Sequence, residues 1–190
     1  MKKQILLLSF LVVALIFTGC SDDDDTTTPP PVNEQEVITT VEVILTADGT
    51  DYKLSWEDLD ADGPGEPVII TPETMPSGIY SGDIQLYNKT VDPSDDEYVV
   101  TAEILEEDLD HQFFFSAGTG LNVTTEYTDT DSAGNPIGQQ FSMTAVSGSG
   151  IFTVSLRHEP DKNAPDVDLG DITNAGGETD VEIEFPITIE

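Results

Sequence analysis

Asp58-Leu59-Asp60-Ala61-Asp62-Gly63 places three carboxylates at alternate positions of one short stretch, with a glycine next. Held in a single tight turn, the three charges repel one another, and a hard divalent cation relieves that repulsion. The glycine permits the sharp bend, so the pattern reads as the opening of a calcium loop.

The helix-loop-helix version of that loop is broken here. The twelfth position counted from Asp58 is Ile69 rather than glutamate, and Pro64 and Pro67 interrupt any exiting helix. What is left is similar to the helix-free calcium loops of extracellular β-proteins, with Glu66 as a further oxygen ligand. The same string also serves as a solvated acidic turn in a chain so rich in aspartate. A weaker echo lies at Thr128-Asp129-Thr130-Asp131-Ser132-Ala133-Gly134-Asn135, where Ala133 stands in place of a third acid. Asp129 and Asp131 are candidate ligands there, and turn chemistry alone also accounts for Asp and Asn beside glycine.

The two histidines, His111 and His158, are the remaining candidates. By alternation His158 shares the parity of Phe152, Val154 and Leu156, and His111 that of Phe113 and Phe115. Both fall at strand ends beside acids, Asp110 and Glu159. One reading is a shared metal site or a proton-handling pair. The other is two hydrogen-bonded histidines at the rim of a core. Catalytic motifs are missing: there is no Gly-x-Ser-x-Gly elbow, phosphate loop or His-Glu-x-x-His. Carboxylate pairs are too numerous for any one to be singled out for glycoside hydrolysis.

The elements that must carry these residues follow from a period of two. Val37, Thr39, Val41, Val43 and Leu45 alternate with Ile38, Thr40, Glu42, Ile44 and Thr46. Val181, Ile183, Phe185, Ile187 and Ile189 alternate with Glu182, Glu184, Pro186 and Thr188. Such segments read as half-buried antiparallel strands. About nine are expected near 38–46, 51–57, 67–71, 79–88, 97–105, 112–117, 121–129, 137–146 and 151–158, with a tenth at 180–189. Turn signals separate them at Ala47-Asp48-Gly49, Asp60 to Gly65, Asp131 to Pro136, Ser147 to Gly150 and Asn174 to Gly177. The fold expected is an all-β antiparallel sandwich, with a closed β-barrel as the alternative and at most one short helix. The helix candidate is 102–109, where a strand ending near Leu105 is the preferred reading. Pro186 lacks a backbone donor, which predicts the last strand either at an edge or with Pro186 pointing off the ladder.

The N-terminus carries an address. Lys2 and Lys3 precede an apolar stretch from Ile5 to Phe17, of signal-peptide length and too short for an ordinary membrane span. Phe17-Thr18-Gly19-Cys20 follows, with the chain's single cysteine. Ser21-Asp22-Asp23-Asp24-Asp25 and Thr26-Thr27-Thr28-Pro29-Pro30-Pro31 form an acidic, polyproline stalk. The organisation expected is a signal peptide over 1–19, an anchor and stalk over 20–35, and a single β domain over 36–190.

Six basic residues against 38 acidic ones give a formal charge of −32. That excludes a nucleic-acid binder working through phosphate neutralisation, and a polybasic membrane-surface protein. It favours cations or basic partners. A hydrophobic content of 37 % is enough for one core of domain size.

Phe17-Thr18-Gly19-Cys20 resembles the lipobox of bacterial lipoproteins, in which the cysteine is lipidated and becomes the mature N-terminus. The acidic run after it is similar to the surface-export signal of Bacteroidota lipoproteins. The stretches Trp56-Glu57-Asp58-Leu59-Asp60, His111-Gln112-Phe113-Phe114-Phe115, Leu156-Arg157-His158-Glu159-Pro160 and 170–180 resemble a group of small Bacteroidota lipoproteins. Some of that group carry the label "type 1 periplasmic binding fold", an architecture of alternating strands and helices that the period of two does not supply. The resemblance implies an outer-membrane protein, lipid-anchored at Cys20 and displayed at the cell surface, and brings no functional residues with it.

Three functions are therefore weighed. The first is a non-catalytic binding or structural module, stabilised by calcium at Asp58, Asp60, Asp62 and Glu66. The second is a small-ligand carrier with a barrel cavity lined by Phe113, Phe115, Phe141 and Phe152. The third is a carboxylate-based hydrolase, which no motif favours.

Overall fold

The computed structural model describes residues 36–60 and 65–190. The leader, Cys20, the stalk and Asp62 lie outside the described residues.

The first hairpin shows how the alternating pattern becomes structure. Strands β1 (Thr40–Ala47) and β2 (Thr50–Glu57) pair antiparallel, ending at Ala47 opposite Thr50. The two residues between them, Asp48 and Gly49, have φ of 51° and 75°. Two left-handed residues in a row match the twist of the flanking strands, and Asp-Gly is among the pairs that tolerate this best. Along β1, Val41, Val43 and Leu45 are fully buried, while Glu42 and Ile44 are half-buried.

Strand β3 (Val68–Ile70) adds to β2, and β4 (Gly78–Tyr87) pairs with the other side of β1. The helix α1 (Val100–Glu106) follows, then β5 (His111–Ala117), β6 (Asn122–Tyr127), β7 (Gln140–Val146), β8 (Gly148–His158) and β9 (Glu178–Ile189). One sheet has the order β3-β2-β1-β4-β7-β6, and the other β5-β8-β9. The protein is thus an antiparallel sandwich of two open sheets. The barrel alternative does not hold, because neither sheet closes on itself.

Between the sheets the inward faces interlock. Phe141 and Phe152 are buried, and Phe115 packs against the same core. The ring centroids of Phe115 and Phe141 are 4.3 Å apart, and those of Phe115 and Phe152 5.9 Å. Phe113 belongs to that core as well. Gly82 makes room for one of these rings, since a Cβ there would sit 2.3 Å from Cζ of Phe141.

The strand expected at 97–105 is instead a short 3₁₀ turn at Asp96–Tyr98 followed by α1. The Asp95 carboxylate accepts from the Glu97 amide and caps the turn. Val100 and Ile104, one helical turn apart, both enter the core, and Thr101 between them bonds to β4. Tertiary packing overrode the strand propensity of Tyr98-Val99-Val100. The turn expected at Ser147–Gly150 is a corner rather than a hairpin: β7 ends at Val146, β8 starts at Gly148, and the chain changes sheets across Ser147. Strand β9 lies at an edge of the three-stranded sheet, one of the two placements that suit Pro186. Among the described residues, no helix is long and apolar enough to cross a membrane.

Candidate metal centre

The second sheet brings the two histidines together at one end. His111 opens β5, His158 closes β8, and the ladder sets them directly opposite each other. Inward parity at the ends of adjacent strands therefore becomes a pair, with ring centroids 4.6 Å apart and planes tilted by 31°. Both rings are buried, His111 completely.

A third residue joins them from β9. The register of β8 on β9 runs regularly to Leu156 opposite Val181, then shifts, so that Arg157 faces Thr179 and His158 faces Glu178. Asp180 is the extra residue of that bulge. Simple alternation would align it with Glu182 and Glu184 on the wet face. A bulge re-aims a side chain, and the Asp180 side chain is 0 % exposed. Its two oxygens face the rings, with Oδ2 3.8 Å from His111 Nε2 and Oδ1 3.7 Å from His158 Nδ1. These separations exceed hydrogen-bond range. His111 Nε2 and both Asp180 oxygens are buried without a hydrogen-bond partner.

The other nitrogen of His111 settles its tautomer. Nδ1 lies 3.2 Å from the Glu107 carbonyl oxygen. A carbonyl only accepts, so Nδ1 carries the proton, and in the neutral ring Nε2 presents a lone pair towards the Asp180 carboxylate. Burial holds His111 below the ordinary imidazole value, against the pull of the Glu107 carbonyl, and the neighbouring His158 lowers it further. Burial pushes the Asp180 carboxyl up to about 6, with Glu178 adding to the rise and His158 opposing it. Two lone-pair-bearing groups thus face each other in a dry site.

A second carboxylate group sits beside the first. Glu36, Glu107 and His111 each offer a ligand atom, all within 4.8 Å of one another. Burial, together with Glu103, Glu107 and Asp180, raises Glu36 to about 8. This surplus of acid around two imidazoles is suited to holding a cation or to exchanging protons.

The remaining sequence candidates are used differently. The Asp131 side chain is buried, takes a 3.0 Å ion pair from Lys162, and accepts from the amides of Ala133 and Asn135. Asp129 accepts from the amides of Gly138 and Gln140 at 2.7 and 2.8 Å. Both carboxylates organise their own loop. In the acidic loop, Asp58 Oδ1 accepts from the Asp60 amide and Asp60 Oδ2 from the Gly65 amide. Asp60 and Glu66 are exposed.

The parity argument placed the two histidines on one face but gave no sign of Asp180, Glu36 or Glu107. Asp180 was hidden by the bulge, and Glu36 precedes the first strand. Glu107 comes near His111 because α1 ends just ahead of β5. The chain matches no family model, no curated protein and no solved structure, and the chemistry of the cluster rests on its own geometry.

Proposed function

We propose that this protein is a lipid-anchored, non-catalytic binding or structural module of the outer membrane, displayed at the cell surface. The observation that carries the reading is the position of Cys20, the only cysteine, directly after a signal-length apolar stretch and directly before an acidic run. The proline stalk and the sandwich, with its core filled by aromatic rings, support a domain held off the membrane rather than embedded in it. Several acyl chains on Cys20, each buried CH₂ contributing about 0.8 kcal/mol, would anchor it durably. The partner suited to so acidic a surface is basic or cationic.

Metabolic labelling with palmitate tests the anchor. Label in the wild-type protein and none in Cys20→Ala is the expected result, and an unlabelled wild-type protein would leave a plain secretory signal. Protease added to intact cells then reports the facing. Loss of the domain supports display, and its protection places it in the periplasm.

The calcium part of the reading belongs to Asp58, Asp60, Asp62 and Glu66. A calcium-dependent rise in Tm that magnesium does not reproduce, lost in Asp60→Ala, supports it. Equal shifts with both ions assign the loop to turn formation.

A further inference from the structure

We infer that His111 Nε2, His158 Nδ1 and the Asp180 carboxylate form a binding site for a divalent transition metal of the zinc class, with three protein ligands and one open position. This inference does not depend on lipidation or on the calcium loop.

Four features converge on it. The first is distance. Zinc bonds of about 2.0–2.1 Å in tetrahedral array separate neighbouring ligand atoms by roughly 3.3 Å. The observed 3.8 and 3.7 Å run from His111 and His158 to different oxygens of the Asp180 carboxylate, and one ligand atom from each of the three residues lies within 4.8 Å of the other two. A small inward movement of side chains closes them on an ion. The second is the state of the donor atoms: His111 Nε2, Asp180 Oδ1 and Asp180 Oδ2 are buried with no hydrogen-bond partner, an unfavourable arrangement that a bound cation resolves. The third is orientation. His111 donates a hydrogen bond from Nδ1–H to a backbone carbonyl, the arrangement that fixes a metal-binding tautomer with the lone pair on the opposite nitrogen. The fourth is backbone: the register shift in β9 re-aims the one acid that completes the set.

The ligand types select the ion. Two imidazoles and one carboxylate suit zinc and its borderline neighbours, whereas calcium and magnesium prefer oxygen throughout. Glu36 and Glu107 stand near His111 and offer further oxygen atoms beside the site.

The test uses the full-length mature protein in detergent, stripped with a chelator and titrated with zinc chloride against a competing zinc indicator. One zinc per chain is expected, with His111→Gln and Asp180→Asn each weakening binding at least tenfold. Calcium and magnesium should not compete. Cobalt(II) should give the visible absorption of a low-symmetry four-coordinate site, lost in both variants.

Asp180→Asn also separates the metal site from a purely structural His–Asp ion pair. It keeps the shape and removes the buried carboxylate charge. Its metal-free Tm should therefore equal or exceed that of the metal-free wild type, while the zinc-induced rise disappears. A metal-free Asp180→Asn protein that melts lower, with zinc affinity unchanged, would overturn the inference. So would substoichiometric zinc binding, or equal binding of zinc and magnesium.

Discussion

Lys162 reaches Asp131 across 3.0 Å with both side chains buried, and its ammonium also donates to the Asp108 carbonyl. Removing one member of such a pair strands the other, at a typical cost of about 3–5 kcal/mol. Lys162→Met should therefore lose about 3 kcal/mol in urea unfolding. Burial works against the Asp131 carboxylate, but the Lys162 bond and the Asn135 and Ala133 amides outweigh it and hold the group below its ordinary value. The stability it contributes is present above about pH 4 and is lost as the pH falls below that. In Lys162→Met the acid transition should move to higher pH, followed by circular dichroism. Tyr127 gives the opposite sign. Burial pushes its phenol up to about 12, against the Gln112 bond, and the hydroxyl donates to the Phe113 carbonyl at 2.8 Å. The unfolded chain ionises first, so stability should fall between about pH 10 and 12. Tyr127→Phe should remove part of that decline, Tyr80 and Tyr87 supplying the rest because burial raises them too. At this scale the sequence was half legible: strand parity paired the histidines, but no periodicity announces a residue re-aimed by a bulge.

At the scale of elements, α1 is tied to the sandwich by a side chain. The Leu86 amide donates to Thr101 Oγ1 at 2.6 Å, in a buried position. Thr101→Val keeps the shape and leaves that N–H unpaired, which should cost about 1–3 kcal/mol and show as faster hydrogen exchange at Leu86. Gly82→Ala pushes a methyl into the Phe141 ring, and a loss of about 1–3 kcal/mol in thermal or urea unfolding is expected. The strands were legible because each buries one face, so burial copies itself into alternation. The helix was not, because seven residues give a weak helical period and Val99-Val100-Thr101 favour strand on their own. What makes them helical is the groove that takes Val100 and Ile104, a property of the distant strands. The sheet change at Ser147 was equally hidden, since a small-residue run looks the same at a corner as at a hairpin.

For the whole molecule, charge sets the outer terms. With −32 formal charges and 38 acids against six bases, the folded state repels itself. Raising ionic strength from about 0.01 M to 0.15 M shortens the screening length from about 30 Å to about 8 Å. Tm in calorimetry should climb over that range with sodium chloride, in the wild type and in Asp180→Asn alike. An unchanged Tm would mean that the acids are too dispersed to matter.

The place where the chain enters the sandwich has a mechanical consequence. The first strand, β1, lies inside the six-stranded sheet, paired with β2 from Thr40–Glu57 to Ala47–Thr50 and with β4 from Thr40–Tyr87 to Thr46–Ser81. Just ahead of it, Thr39 donates both its amide and its hydroxyl to the Tyr87 carbonyl. A pull delivered through residue 36 therefore loads two ladders in shear at once, with their hydrogen bonds strained together rather than peeled one by one. Drag or adhesion acting on a tether at that end would meet the domain at one of its most resistant strands.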